Sequence, residues 1–303
     1  MKRLFIAAAA LFGAAAFATP ANANLNVFAC EPEWGALATE IGGDKVNVYN
    51  ATTGGQDPHQ VQARPSLIAR ARTANVRVCT GAELEIGWLP VIIQQSGNTN
   101  LQPGRPGAFD ATSAVRLVER PENVDRAQGD IHAMGNPHIQ TDPRNMIPVS
   151  RAMAARFAQL DASNAATYTA RQADFERRWN AALQRWTQRA APLRGVPILV
   201  QHRSWPYMLS WTGMTEIMPL EPRVGVPPSS GYLAQVLQTI QTRPARFVIR
   251  AAYEDSRPSE FISQRAHIPA IMLPFTVGGD AQATNLFTLY DDTITKLLSG
   301  IGQ

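Results

Sequence analysis

The 303 residues are 45% hydrophobic and 17% charged, a profile that suits one large or two ordinary globular domains and excludes a disordered, collagen-like or disulfide-dense chain. The net charge of +4 comes without any run of Lys or Arg; the basic residues are mostly arginines spaced along helical stretches, so no nucleic-acid partner is expected.

The chain opens with Lys2 and Arg3, an apolar run from Leu4 to Phe17, and a small-x-small site at Ala21-Asn22-Ala23. That is the pattern of a cleaved export signal over residues 1–23, with cleavage near Ala23 and a periplasmic mature chain. The run is too short to span a bilayer, and no later stretch is apolar enough to do so. No Cys directly follows the signal, so no lipid anchor is expected.

Strands are predicted at 25–30, 45–50 and 75–80, with helices at 33–42 and 65–73 between them. This alternation implies βαβ units and a parallel sheet. Cys30 and Cys79 end two of these strands, so a disulfide forms if the strands are neighbours; two buried thiols are the alternative. Residues 96–143 are rich in Gly, Pro, Asn and Gln and read as loops, with one short strand at 115–118. Helical periodicity then covers 146–160 and 165–191, the second stretch carrying Tyr168, Phe175, Trp179, Leu183 and Trp186 on one face. Strands return at 196–200, 215–219, 246–250 and 270–274, with helices at 204–212, 230–242, 256–265 and 284–298. The plan is α/β: a lobe at 24–163, a connecting helix at 164–192 and a second lobe at 193–303, with a cleft between lobes as the natural ligand site.

Of the five histidines, His59 follows strand 45–50, His202 follows strand 196–200, and His138 sits in the loop before helix 146–160. Ligands of parallel sheets bind beyond the carboxyl ends of the strands, so these three side chains are placed to converge on one ion. Asp280, after strand 270–274, is placed the same way, with Asp255, Asp291 and Asp292 as rivals. Three imidazoles and a carboxylate suit four-coordinate Zn²⁺, whereas Mn²⁺ favours more carboxylate oxygens. Asp57 and Asp142 are candidates to orient a ligand imidazole or to cap turns. His132, alone in loop 119–135 with Glu119, Glu122, Asp125 and Asp130, reads as a loop histidine or a weak capture ligand, and His267 as structural.

Several segments carry a family resemblance. Glu40-Ile41-Gly42-Gly43-Asp44-Lys45-Val46, Gln56-Asp57-Pro58-His59, Thr80-Gly81-Ala82-Glu83-Leu84-Glu85 and Asn136-Pro137-His138-Ile139-Gln140-Thr141-Asp142-Pro143 resemble the cluster A-I solute-binding proteins, the zinc and manganese binders of ABC importers. Asn164-Ala165-Ala166-Thr167-Tyr168, Val200-Gln201-His202, Glu221-Pro222 and Asp292-Thr293-Ile294 continue it in the same order, most like the AztC-type periplasmic zinc binders. The resemblance implies two α/β lobes with parallel sheets joined by one long rigid helix, and a metal between the lobes. It carries the ligand positions onto His59, His138, His202 and Asp280, with His202 favouring zinc because manganese-binding relatives commonly have an acid there. It also implies a monomeric, non-enzymatic carrier that hands Zn²⁺ to a membrane permease, with a periplasmic zinc-delivery protein as a further partner. Three rivals stand beside it: a manganese binder of the same family, an exported zinc-dependent hydrolase, and a binder of an organic ligand such as a metal chelate.

Overall fold

A computed structural model of the chain describes residues 24–123, 129 and 131–303; the export signal expected at 1–23, and Asp125 and Asp130, lie outside the described residues. Among the described residues no helix is long and apolar enough to cross a membrane.

The first half contains β1 (Leu25–Ala29), α1 (Pro32–Gly42), β2 (Val46–Asn50), α2 (Pro65–Thr73), β3 (Val76–Cys79), α3 (Leu89–Ser96) and β4 (Ala108–Asp110). These strands form one parallel sheet in the order β2-β1-β3-β4. Helix α1 begins at a proline, which needs no N–H partner in the first turn, and buries Trp34, Leu37, Ala38 and Ile41 at helical spacing. Cys30 and Cys79, just past β1 and at the end of β3, are joined by a disulfide with Cα atoms 4.7 Å apart.

Two features of this half differ from expectation. Residues 115–118 are not a strand; the fourth strand is instead Ala108–Asp110, held to β3 by the Arg77–Asp110 ion pair. The 115–118 segment leaves the sheet toward the second lobe, where the Val118 N–H donates to the Tyr207 hydroxyl at 3.2 Å. Helix α3 also has no counterpart among the predicted elements, although Pro90 at its start and Gly97 in the left-handed region at its end are the ordinary boundary signals.

Two long helices follow, α4 (Met146–Leu160) and α5 (Ala165–Ala190). Helix α5 has 26 residues, so it extends about 39 Å at 1.5 Å per residue. The second sheet has the order β6-β5-β7-β8 and is again all parallel: β5 (Pro197–Val200), β6 (Thr215–Pro219), β7 (Val248–Ala251) and β8 (Ala270–Leu273). Helices α6 (Pro206–Thr212), α7 (Ser230–Thr242), α8 (Arg257–Ala266) and α9 (Leu286–Ser299) cover it. His267 ends α8 in the left-handed conformation, consistent with a structural role.

The largest core is not confined to one sheet. Trp34, Leu37 and Ile41 of α1 and Phe175, Trp179 and Trp186 of α5 share it with Leu286, Leu289, Tyr290 and Ile294 of α9. Ring contacts tie these elements together, Trp179 to Phe287 at 4.9 Å and Trp186 to Tyr290 at 5.2 Å. Such aromatic pairs add about 0.5–1.5 kcal/mol each beyond the area they bury. The C-terminal helix therefore closes the first half of the molecule as well as the second. Loop contacts do the same near the cleft. The Thr276 hydroxyl, beyond β8, donates to the buried Glu33 carboxylate at the start of α1. Gly54, in the loop after β2, packs directly on the backbone of Gly278 and Gly279, and a Cβ there would lie 2.3 Å from the Gly279 nitrogen.

Candidate metal centre

Both sheets point the carboxyl ends of their strands at the cleft, and each contributes a histidine one short loop later. His59 lies beyond β2 and His202 beyond β5, while His138 comes from the long connection that precedes α4. The structure brings the three together: the ring of His59 is 5.3 Å from that of His138 and 5.6 Å from that of His202, and His138 is 5.8 Å from His202.

Each ring is pinned through Nδ1. The Asp57 Oδ1 faces the His59 backbone N–H at 2.9 Å and its Nδ1 at 2.8 Å. Asn136 Oδ1 does the same for His138, at 3.1 Å and 2.8 Å. The two arrangements come from the same local sequence, Asp57-Pro58-His59 and Asn136-Pro137-His138: an Asx side chain turned back onto the residue two positions on, with the fixed φ of proline between. The Asn136 amide is oriented by its other end, since its Nδ2 donates to Glu119 and to the Arg203 carbonyl at 2.9 Å. Its oxygen must therefore accept, so Nδ1 of His138 carries the hydrogen and Nε2 carries a lone pair. His202 Nδ1 meets Glu221 Oε2 at 2.7 Å, and that same oxygen accepts the Gly225 N–H at 2.8 Å. Trp88 steadies the first loop by donating from Nε1 to the Pro58 carbonyl at 2.9 Å.

The opposite nitrogens are left over. Nε2 of His59, His138 and His202 is buried with no hydrogen-bond partner, and so is Nε2 of His132. His132 stands with the others, its ring 5.5 Å from His59 and 6.0 Å from His138. The ligand atoms of His59, His132 and His138 all lie within 4.8 Å of one another. Unpartnered buried polar atoms are rare, and several facing one point suit a cation that takes a lone pair from each.

Electrostatics keep the lone pairs of His132 and His138 available. Burial, reinforced by the neighbouring imidazoles, pushes His138 well below the usual histidine range and His132 down to about 3, so both are neutral. Burial also opposes a charge on His202, but the hydrogen bond and charge of Glu221 outweigh it and raise that pKa. Burial raises the Asp57 carboxyl, yet its contacts with His59 outweigh this and hold it below its ordinary value. A cavity of about 500 Å³ opens beside the rings, lined among others by His132, His138, His202, Glu119, Arg203 and Glu221.

The carboxylates singled out from the sequence are engaged elsewhere. Asp280 accepts the Gln282 and Ala283 N–H groups at 2.8 Å and 3.0 Å through one oxygen and pairs with Lys296 through the other. Asp292 shares Lys296, Asp255 pairs with Arg257, and Asp291 takes Trp186 Nε1 at 2.9 Å and Arg189 at 3.0 Å. Of the two orienting candidates, Asp57 holds an imidazole, whereas Asp142 caps a turn by accepting the Arg144 N–H. Sequence reasoning missed Asn136 and Glu221 as orienting groups. The repeated Asx-Pro-His tripeptide is a signal that finds the first; Glu221 needs the β5–β6 pairing that brings it beside His202.

Comparison with known proteins agrees with the fold described above. Residues 27–300 match the family model described as zinc-uptake complex component A, periplasmic (ZnuA). The chain belongs to this family. Over 151 residues it is 25% identical to the manganese ABC transporter substrate-binding lipoprotein ScaA of Streptococcus gordonii, covering 48% of this chain and 45% of that protein. It is 22% identical over 150 residues to the metal ABC transporter substrate-binding lipoprotein ScbA of Streptococcus cristatus, so the matches span under half the length of these relatives. Among solved structures, a crystal structure of ZnuA superposes with a TM-score of 0.73 at 22% identity, covering 90% of this chain and 99% of that one. A Mn-bound periplasmic metal-binding protein of Candidatus Liberibacter asiaticus gives 0.73 at 16% identity, covering 91% and 99%. At these identities the likeness is one of fold: the ZnuA-family architecture of two four-stranded α/β lobes and a long helix.

Proposed function

We propose that the chain is the periplasmic zinc-binding component of an ABC importer, which takes up one Zn²⁺ through His59, His138 and His202 and passes it to a membrane permease. The reading rests on one observation above all: three imidazoles from separate parts of the chain have Nδ1 held by Asp57, Asn136 and Glu221 while their Nε2 atoms are buried without partners. Lobes at 24–163 and 193–303, joined by the helix at 164–192, supply ligands from both sides. Binding then restricts inter-lobe freedom, and the cation is released when loops on one side withdraw. The family supports a transport role over an enzymatic one.

Manganese is the second reading, because the streptococcal relative ScaA is described as a manganese transporter component and a Liberibacter neighbour was solved with Mn. A site dominated by imidazole nitrogens favours Zn²⁺. Competition between the two ions, followed by calorimetry and elemental analysis, tests this: one zinc per chain, undisplaced by excess Mn²⁺, is expected. A chain that binds neither ion overturns the metal reading, and one that prefers Mn²⁺ overturns zinc.

Glu221 offers a sharper check. Zinc must displace the proton that Glu221 stabilises on His202, so affinity is expected to fall as pH drops through the raised His202 pKa. In Glu221→Ala, zinc binding at pH 8 is expected to weaken by about 10–100-fold as the ring loses its orienting partner. Without Glu221 the burial of His202 favours its neutral form, so the remaining affinity depends less on pH. Titrations at pH 6 and 8 on both proteins read this; identical pH slopes would count against the role of Glu221.

A further inference from the structure

We propose that His132 is a direct ligand of the bound cation, completing a set of four imidazoles, and that Asp280 braces the turn after β8 instead of binding the cation. This rests on the reading of the histidine cluster as a cation site and goes on to name its fourth donor.

Three observations carry it. First, His132 Nε2 is buried and unpartnered in the same way as the Nε2 atoms of the other three, and a ligand atom of His132 lies within 4.8 Å of those of His59 and His138. Tetrahedral zinc with Zn–N bonds of about 2.0–2.1 Å needs nitrogens about 3.4 Å apart, so these three approach one cation with separations shortened by at most about 1.4 Å, and the His202 ring, 5.6 Å from that of His59 and 5.8 Å from that of His138, stands beside them. Second, the backbone around His132 is held in place. The Ala133 N–H donates to Glu83 Oε2 at 2.7 Å, the Gly135 N–H to the His132 carbonyl at 3.1 Å, and the Asn136 N–H to the Val118 carbonyl at 2.8 Å. Third, the side of the site where the loop after β8 would supply an acid is apolar. Phe275, 6% exposed, packs its ring 5.8 Å from His138.

Asp280 lies further along that loop and is fully used. Its oxygens close the Gly278–Ala283 turn and bind Lys296 of α9, and the turn packs on Gly54 of the His59 loop. Turning Asp280 toward a cation would pull its Oδ1 from two backbone donors and leave Lys296 with Asp292 alone. A donor set of four neutral nitrogens and no carboxylate selects borderline ions such as Zn²⁺ or Co²⁺ over the oxygen-preferring Mn²⁺.

The test uses the mature chain and its His132→Ala, His132→Gly, Asp280→Asn and His138→Ala variants, with Zn²⁺ affinity from chelator competition and the visible spectrum of the Co²⁺ form as readouts. His132→Ala is expected to lose about 100-fold in zinc affinity and to show the weaker cobalt bands of a site where water replaces a nitrogen. Added imidazole is expected to restore the wild-type cobalt spectrum in His132→Gly, which no structural role of His132 would produce. Asp280→Asn is expected to keep wild-type affinity and spectrum while melting at lower temperature. Unchanged binding and spectrum in His132→Ala, or a cobalt spectrum altered by Asp280→Asn, overturns the proposal while His138→Ala still loses binding. A wild-type chain that binds neither ion overturns the functional reading and the proposal together.

Discussion

Replacing His138 by alanine is expected to weaken zinc binding by roughly two orders of magnitude or more. Structural zinc sites are worth about 10–16 kcal/mol, so one of four donors carries about 3 kcal/mol, or a factor of about 100. His138 belongs at the upper end for structural reasons. It is 1% exposed, burial keeps it neutral so that no proton competes for Nε2, and Asn136 fixes which nitrogen carries the lone pair. The alanine variant also leaves Asn136 Oδ1 without its ring donor, so the loop that aims the site loses an anchor. Chelator-competition titration of wild type and variant measures the loss; retention of affinity within a few-fold would remove His138 from the ligand set.

Removing the Cys30–Cys79 disulfide is the second large effect expected, this time on stability. The bridge closes a loop with a sequence separation of 49, for which the chain-entropy relation gives about 4 kcal/mol. At about 2–4 °C per kcal/mol for chains of this class, the metal-free Cys30→Ala/Cys79→Ala protein is expected to melt roughly 10 °C below wild type. Both sulfurs lie in a fully buried cluster with Phe28, Leu67, Trp88 and Ile92, so the ends of β1 and β3 lose packing as well as a tether. Calorimetry of wild type with and without reductant, beside the double variant, separates the two contributions. Equal melting temperatures in all three would show that the tether contributes nothing to stability.

The two sheets, the long helix and three of the clustered histidines were legible in the sequence because each leaves a periodic or positional mark. Strand–helix alternation sets parallel sheets, the Tyr168–Trp186 stripe sets α5, and His59 and His202, one loop beyond a strand, sit at the carboxyl edge by construction, whereas His138 was marked by its place before α4. What escaped was information that no local pattern carries. His132 stands alone in a segment without periodicity, and only the fold of that segment toward His59 gives it neighbours. Asp280 has the right position along the chain for a ligand, but Lys296, sixteen residues later on α9, holds its carboxylate. Strand Ala108–Asp110 is too short to show alternation, and its partners, β3 and the Arg77 side chain, come from an earlier element.

The shared aromatic seam between α5 and α9 has a consequence for how the polypeptide reaches this structure. The interior around Trp179 and Trp186 is complete only when residues 286–299, more than 95 positions further along the chain, dock against it. The first half thus shares its interior with the second and is not closed without it. A chain cut before residue 286 would expose the α5 face that carries Trp179 and Trp186.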